Sequence, residues 1–215
     1  MWSLRVCIGL LTVFYASNGS DNFDTAPSVG ENGVNVTDFL GLHNQYRRMV
    51  RLGLVAGQPK AKSLPDMHGE SSTSLFAVIH SRASTDHMGT DIRLIWDDVL
   101  TRAAKRWAEQ CNFMHEPNSG FGENIAFGTE ISFDSVKAWF DEHSVYPFEP
   151  IGDNFGAYGH YTQIVWASTF YLGCFRQFCP KINIDGKSVN NGYFSVCKYY
   201  PGGNYLGQYP YEKAN

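Results

Sequence analysis

The amino-acid sequence predicts an α+β protein, because its helical patterns come first along the chain and its extended runs come last. Three segments between residues 37 and 143 place apolar side chains at helical spacing, whereas three runs between residues 160 and 200 indicate strands. Charged residues make up 18% and aromatic residues 15% of the chain, which is typical of a globular protein. Its 215 residues suffice for one domain with a sizeable core.

The N-terminal residues 1–19 are predicted to be a cleaved secretory signal. One Arg precedes an apolar run from Val6 to Ala16, which is too short to span a bilayer and ends in small polar residues. A buried N-terminal strand is the alternative, and we disfavour it because no polar residue alternates within the run. We therefore expect a secreted, extracellular protein without a transmembrane anchor. The formal net charge of −4 argues against a nucleic-acid partner.

The first helix is predicted to follow a polar arm. Residues 20–36 are rich in Gly, Asp, Asn and Ser, so we expect a flexible arm, in which Asn35 begins an Asn-Val-Thr acceptor for N-glycosylation. Thr37 can cap the helix that comes next. The apolar face of this helix consists of residues at helical spacing, namely Phe39, Leu40, His43, Tyr46 and Val50.

Two further helices are predicted on the far side of a long insertion. Residues 57–92 contain several Gly and Pro residues and runs of Ser and Thr, which indicate a partly ordered surface insertion. Asp97 can cap a second helix. The apolar positions of this helix are Leu100, Ala103, Ala104, Trp107 and Cys111. Ser132 or Asp134 then caps a third helix, whose apolar side carries Trp139.

The three predicted strands are the runs "HYTQIVWA", "LGCFRQFC" and "NGYFSVCKYY". The pair Asn191-Gly192, together with the polar stretch before it, indicates the loop of a hairpin between the last two runs. In the first run, His160 stands at the mouth of the strand, and Thr162, Ile164 and Trp166 would share one face.

The cysteines predict two disulfides in an oxidising compartment. Cys7 lies in the predicted signal, so four cysteines remain, and the lack of a CxxC pair argues against a zinc–cysteine site. Cys174 and Cys179 are five positions apart and face opposite sides of a straight strand, so we do not expect them to pair with each other. Cys197 on the neighbouring strand can meet one of them, and Cys111 can meet the other.

Four segments carry a resemblance to a known family. They are "LHNQYR" at 42–47, "GENI" at 122–125, "GHYTQIVW" at 159–166 and "FSVCKYYPGGNYLG" at 194–207. In these segments, and in their order over roughly residues 37–211, the chain resembles the CAP superfamily. This superfamily covers cysteine-rich secretory proteins, antigen 5 venom allergens and plant pathogenesis-related proteins, and the resemblance is closest to venom-allergen-like secreted proteins.

The resemblance implies a fold and a disulfide pairing. The fold is a three-layer α-β-α sandwich with a central antiparallel sheet, formed here by a single CAP domain over residues 37–215. The implied disulfides are Cys111–Cys179 and Cys174–Cys197, which agrees with the facing of these residues on the predicted strands.

The resemblance also implies a cleft lined by two histidines and two acidic residues, here His43, Glu123, Glu142 and His160. In many members of the family the histidines bind a divalent cation, often zinc. We therefore expect a weakly bound cation on His43 and His160, with Glu123 and Glu142 orienting the imidazoles or a bound water molecule. The alternative is a buried polar network in which the four side chains satisfy one another.

Catalysis at this cleft is not expected. The chain lacks a Gly-x-Ser-x-Gly nucleophile and an HExxH helix, and its four remaining cysteines are expected to be oxidised. The leading prediction is a secreted, non-enzymatic binding protein whose partner is an extracellular protein or a sterol or other lipid. A metal-dependent hydrolase is the first alternative, with His43 and His160 as metal ligands and Glu123 or Glu142 as general base.

A sterol or lipid carrier is the second alternative. In sterol-binding relatives a loop in the region before the "GHYTQIVW" segment carries the lipid site. The aromatic residues of this loop here are Tyr146, Phe148, Phe155 and Tyr158. The competing interpretation, which we favour, is that these aromatic rings cover the edge of the sheet.

Two residues depart from the pattern of the family. Lys198 follows Cys197 where an amide is more common, and Glu116 follows His115 where a serine is common. The histidines outside the implied cleft show no paired spacing with an acidic residue, and we predict them at the surface. They are His68, His80, His87, His115 and His143.

Overall fold

The computed structural model describes residues 36–67 and 98–215. The predicted signal at 1–19, the arm that follows it, the glycosylation acceptor Asn35 and the insertion from 68 to 92 lie outside these residues. No helix of the described part is both long enough and apolar enough to cross a membrane.

The described helices confirm the three that the periodicity predicts and add a fourth. In chain order they are α1 (Val36–Leu52), α2 (Asp98–Ala108), α3 (Ser135–Asp141) and α4 (Gly159–Ile164). Single 3-10 turns follow α3 at Glu142–Ser144 and precede α4 at Phe155–Ala157. Of the two candidate caps for α3, Asp134 is the cap, because its carboxylate accepts a hydrogen bond from the Lys137 N–H at 2.9 Å.

Three antiparallel strands form the sheet of the described part, in the order β1-β3-β2. The strands are β1 (Gly122–Gly128), β2 (Tyr171–Ile184) and β3 (Lys187–Tyr200). Strand β1 is not among the three strands that the sequence predicts. The register places Glu123 of β1 opposite Lys198 of β3.

The helices cover both faces of this sheet, which confirms the α+β class and the three-layer α-β-α sandwich. On one face, α1, α3 and α4 enclose a core that includes Val50, Trp139 and Tyr161. On the other face, α2 packs its Trp107 against a second core. Because side chains alternate along a strand, Tyr199 of β3 points into the first core and its neighbours point to the α2 face.

The segment "GHYTQIVW" is a short helix followed by a turn, so the predicted strand at residues 160–167 is wrong. Helix α4 lacks a side-chain cap from the residue that precedes it. Instead, the carboxylate of Glu142 accepts hydrogen bonds from the backbone N–H groups of His160 and Tyr161 at 3.0 and 3.1 Å. These N–H groups are unpaired at any helix start, and the carboxylate stabilises them there. The partner is 18 residues away in sequence, so no local pattern indicates this helix.

The hairpin between β2 and β3 is confirmed, but its predicted loop is wrong. The turn consists of Asp185 and Gly186, with φ angles of +49° and +77°, which is the geometry of a tight type I′ turn. The Asn191-Gly192 pair lies inside β3, where Gly192 pairs with Cys179.

The implied disulfides are both present, between Cys111 and Cys179 and between Cys174 and Cys197. The first joins the segment after α2 to β2 on one face of the sheet. The second joins β2 to β3 within the core on the opposite face. Each bridge contributes roughly 2–4 kcal/mol to the free energy of unfolding.

The start of the predicted insertion is packed rather than loose. Leu64 and Met67 are buried against α1. The guanidinium of Arg47, itself without solvent exposure, donates to the carbonyls of Pro65, Ile164 and Trp166 at 2.7–2.9 Å. Arg47 thereby links α1 to the end of α4 through hydrogen bonds and fixes the position of α4.

Candidate functional site

Two histidine–glutamate pairs lie near one end of the described sheet. In the first, Nδ1 of His160 and Oε1 of Glu142 are 2.6 Å apart. The second oxygen of Glu142 accepts from the two N–H groups at the start of α4. One carboxylate therefore fixes both the helix and the imidazole that the helix carries. The ring of His160 also stacks on Trp139 of α3, with a centroid distance of 6.0 Å.

The second pair is formed by His115 and Glu123, again with 2.6 Å between Nδ1 and Oε1. The side chain of His115 is 50% exposed, whereas that of Glu123 is 6% exposed. The prediction of His115 as a surface residue is right about its exposure but wrong about its lack of an acidic partner. The residues between the pair contain Asn118 and Gly120 with positive φ angles, and this turn returns the chain to β1.

Asn124 links the two pairs. It follows Glu123 in β1, and its side-chain amide donates to the carbonyl oxygen of His160 at 3.0 Å. The same amide donates to the hydroxyl of Tyr199 at 3.0 Å. Successive side chains of a strand point to opposite faces, so Glu123 lies on the α2 face, whereas Asn124 lies on the face that α4 covers.

The predicted role of His43 as a cleft ligand is wrong in this geometry, because its imidazole is completely buried. Nδ1 donates to the Phe39 carbonyl at 2.6 Å, since a carbonyl can only accept. Nε2 then accepts from the Tyr199 hydroxyl at 2.8 Å. Burial lowers the pKa of His43 to about 4, although the Phe39 hydrogen bond acts in the opposite direction, so the ring is neutral. Both of its nitrogens are occupied, and the buried polar network is the interpretation that fits His43.

Glu123 is also tied to a buried ammonium. Lys198 has no solvent exposure, and its Nζ donates to Glu123 at 2.5 Å and to Glu116 at 2.6 Å. Burial by itself raises the pKa of Glu123, but the hydrogen bond from His115 and the charge of Lys198 bring it below its usual value. The two departures from the family pattern therefore meet in one cluster.

Most of the aromatic residues proposed for a lipid loop belong to the core. Tyr146 and Tyr158 are buried, and their rings lie 4.9 Å apart. Phe155 is partly buried against the same core. Phe148 also lines a surface groove of about 750 Å³. The other aromatic residues along this groove are Trp166, Tyr209 and Tyr211.

Two imidazoles are the candidate metal ligands of this site. Within residues 36–67 and 98–215, no group of three or more His, Cys, Asp or Glu side chains is arranged to hold a metal ion. His115 and His160 each direct Nδ1 at a carboxylate, and no hydrogen bond within the described residues engages Nε2 of either ring. An imidazole oriented by a carboxylate in this way offers Nε2 to zinc and similar ions.

Comparison with known proteins gives the same fold and family. The family model for the cysteine-rich secretory protein family, CAP, matches residues 40–199. Human GLIPR1-like protein 1 is 31% identical over 192 residues, which cover 81% of this chain and 77% of that protein. Mouse peptidase inhibitor R3HDML is 29% identical over 196 residues, which cover 77% and 78%. For several other relatives, this chain spans only about half of their length or less.

A solved structure supports the same relationship. The crystal structure of NaASP2 with Zn²⁺ matches this fold with a TM-score of 0.60 and 28% sequence identity. The match covers 87% of this chain and 92% of that one.

Proposed function

The chain belongs to the cysteine-rich secretory protein family, CAP, and on this premise we propose that it is a secreted, non-enzymatic binding protein with a cleft for a divalent cation. The observation that carries the proposal is that His115 and His160, on the two sides of the edge strand β1, each have a carboxylate 2.6 Å from Nδ1. The partner is an extracellular protein. One relative is named a peptidase inhibitor, which supports a protein as the partner.

The cation is of the zinc class, because imidazole nitrogen suits Zn²⁺, Cu²⁺ and Ni²⁺. His160 is one ligand, as the sequence predicts, and His115 takes the place of His43 as the other. Glu142 and Glu123 hold the two rings through Nδ1, which leaves Nε2 of each ring for a cation. Water would complete the coordination, so we expect weak binding. NaASP2, whose structure contains Zn²⁺, supports the choice of metal.

Calorimetric titration with zinc tests this site. We expect His115→Ala and His160→Ala each to weaken zinc binding about tenfold or more. His143→Asn is the matched control, since its ring packs between Phe140 and Tyr161, and it should bind as wild type does. Binding curves that coincide for wild type and both alanine variants would overturn the cation site.

The carboxylates argue against a hydrolase. A general base must lie within hydrogen-bond reach of the proton that it takes, and both carboxylates are already engaged by other donors. Glu142 already accepts from His160 and Tyr161, and Glu123 already accepts from His115 and Lys198. We therefore expect no turnover of a broad panel of peptide and ester substrates. Zinc-dependent turnover that disappears in both Glu123→Gln and Glu142→Gln would establish the hydrolase instead.

A lipid or sterol carrier is the second candidate, and the groove beside Phe148 is the observation that favours it. Its volume of about 750 Å³ falls within the range of sites for small apolar ligands, and aromatic rings line it. If it takes a sterol, Phe148→Ala should reduce the uptake of a fluorescent sterol. Phe155→Ala is the control, because Phe155 packs beside Gly159 instead of lining the groove. Equal uptake in both variants excludes this groove.

A further inference from the structure

We propose that Lys198 is a positioning residue for His115: its buried ammonium holds the Glu123 carboxylate so that the imidazole keeps its proton on Nδ1 and turns Nε2 outward. The proposal rests on the proposed function, because it concerns one of the two imidazoles of the cation cleft. Lys198 itself contacts neither ring nitrogen of His115 within the described residues, so it acts on the ring through Glu123.

The hydrogen bonds to Glu123 are divided between its two oxygens. Oε2 accepts only from the Nζ of Lys198 within the described residues. Oε1 accepts from the backbone N–H of Glu116 at 3.1 Å and stands 2.6 Å from Nδ1 of His115. The ammonium thus occupies one oxygen and leaves the other for the imidazole.

The ammonium is itself held in place from two sides. Glu116 binds it through its carboxylate and also donates its backbone N–H to Glu123. Lys198 lies opposite Glu123 in the β1–β3 register and opposite Gly173 in the β2–β3 register. A side chain at Gly173 would collide with the backbone of Leu100 and Thr101, so α2 packs closely over this part of the sheet. The cluster therefore has little room to rearrange.

The direction of the His115 hydrogen bond follows from this arrangement. A carboxylate that an ammonium holds ionised can only accept hydrogen bonds. Nδ1 of His115 must then be the donor, and Nε2 is left unprotonated in the neutral ring. Free neutral histidine favours the proton on Nε2, so the protein selects the less common tautomer. That tautomer is the one that presents Nε2 to a cation.

The test reads the tautomer directly. In wild-type protein carrying ¹⁵N-labelled histidine, proton–nitrogen correlation spectra should show His115 with Nδ1 protonated and Nε2 bare. In Lys198→Met, the ring should lose its preference for one tautomer. We therefore expect the ¹⁵N chemical shifts of the two ring nitrogens of His115 to move toward each other. His160 is the internal reference and should not change. Lys105→Met is the matched control, since Lys105 lies on α2, exposed, over the Phe175 ring.

A second variant allows for misfolding of the first. Lys198→Met leaves two carboxylates without a cation, whereas Glu116→Gln combined with Lys198→Met keeps the net charge of the cluster. This double variant should fold and show the same change at His115. A folded variant in which His115 keeps its wild-type spectrum would overturn the proposal. Loss of folding in both variants, with Lys105→Met folded, would overturn it too, because Lys198 would then serve the fold alone.

Zinc titration of the same proteins separates this inference from the proposed function. We expect zinc binding about tenfold weaker in the folded Lys198 variants than in wild type. If wild type binds no zinc but His115 changes its tautomer in the variants, the cation cleft fails and the positioning role stands. If wild type and the variants bind zinc equally tightly and keep the same tautomer at His115, the positioning role fails and the cation cleft stands.

Discussion

The two faces of the sheet carry buried polar networks of opposite character at the same end of β3. On the face of α1, α3 and α4, Tyr199 joins His43 and Asn124 through hydrogen bonds among groups without charge. On the face of α2, the next residue along the strand, Lys198, binds the ionised Glu123. Neighbouring positions of one strand therefore support a neutral network and an ionic one.

Burial decides which of the two histidines, His43 or His115, is accessible to a ligand. His43 belongs to the neutral network and has no exposure, so its nitrogens serve the packing. His115 belongs to the ionic network, but its own side chain is half exposed while the charges that orient it are buried. A ring in the second situation is fixed and still accessible, which is what ligand binding requires.

The largest loss of stability is expected when the ionic network is broken. Lys198→Met should lower the free energy of unfolding by roughly 3–5 kcal/mol, because it leaves Glu116 and Glu123 without their buried cation. Unfolding in urea at neutral pH measures the loss. The matched control is Lys62→Met, which removes an exposed ion pair to Glu212 and should change stability by less than about 1 kcal/mol. Similar losses in both variants would contradict the ionic network.

The next largest loss of stability is expected in the neutral network when the pH is lowered. The pKa of His43 is about 4 in the folded protein and 6.5 in an unfolded chain. Between these values the unfolded chain binds a proton that the folded protein does not, so stability falls as the pH drops from 6.5 to 4. This group alone should account for about 3 kcal/mol.

The measurement is the free energy of unfolding as a function of pH for wild type and for His43→Gln, which cannot titrate at this position. The wild-type curve should fall more steeply on acidification between pH 6.5 and 4. Carboxylates elsewhere contribute equally to both proteins, so the difference between the curves isolates His43. Parallel curves would show that the pKa of His43 is the same in the folded protein as in the unfolded chain, which would contradict the neutral network.

The sequence could predict those features of the fold that depend on local spacing. The periodicity of α1, α2 and α3 is visible along the chain, and the facing of Cys174 and Cys179 on one strand agrees with the disulfides that form. Helix α4 could not be predicted in this way. It is short, buried on most of its surface, and stabilised by Glu142 from a distant part of the chain.

The site was predictable in composition but not in pairing. Glu123, Glu142 and His160 are brought into two histidine–glutamate pairs, but the second histidine is His115. Its partner is eight residues away across a turn, which no helical or strand spacing indicates. Lys198 meets Glu123 from 75 residues away, through strand register alone. Contacts of this kind are set by tertiary packing, which the spacing of residues along the chain does not encode.

A smaller effect concerns the carboxylate on the first face. Glu142→Gln removes the charge that caps α4 and weakens the hold on His160, so we expect a loss of about 1 kcal/mol. Urea unfolding measures it. Glu149→Gln is the control, because its side chain is exposed and does not meet α4 through any hydrogen bond in the described residues. A loss in Glu142→Gln as large as that in Lys198→Met would mean that the two faces do not differ.

The smallest effect on stability should come from the histidine that matters most for binding. His115→Asn should change the free energy of unfolding by about 0.5 kcal/mol or less, since half of its side chain is in solvent and the ion pairs of Lys198 stay intact. His43→Asn should cost several times more, because it leaves the Tyr199 hydroxyl without its buried acceptor. Zinc affinity should show the opposite order, falling in His115→Asn and unchanged in folded His43→Asn. A reversal of the order of zinc affinities would return His43 to the cleft, and a reversal of the order of stabilities would place His115 among the packing residues.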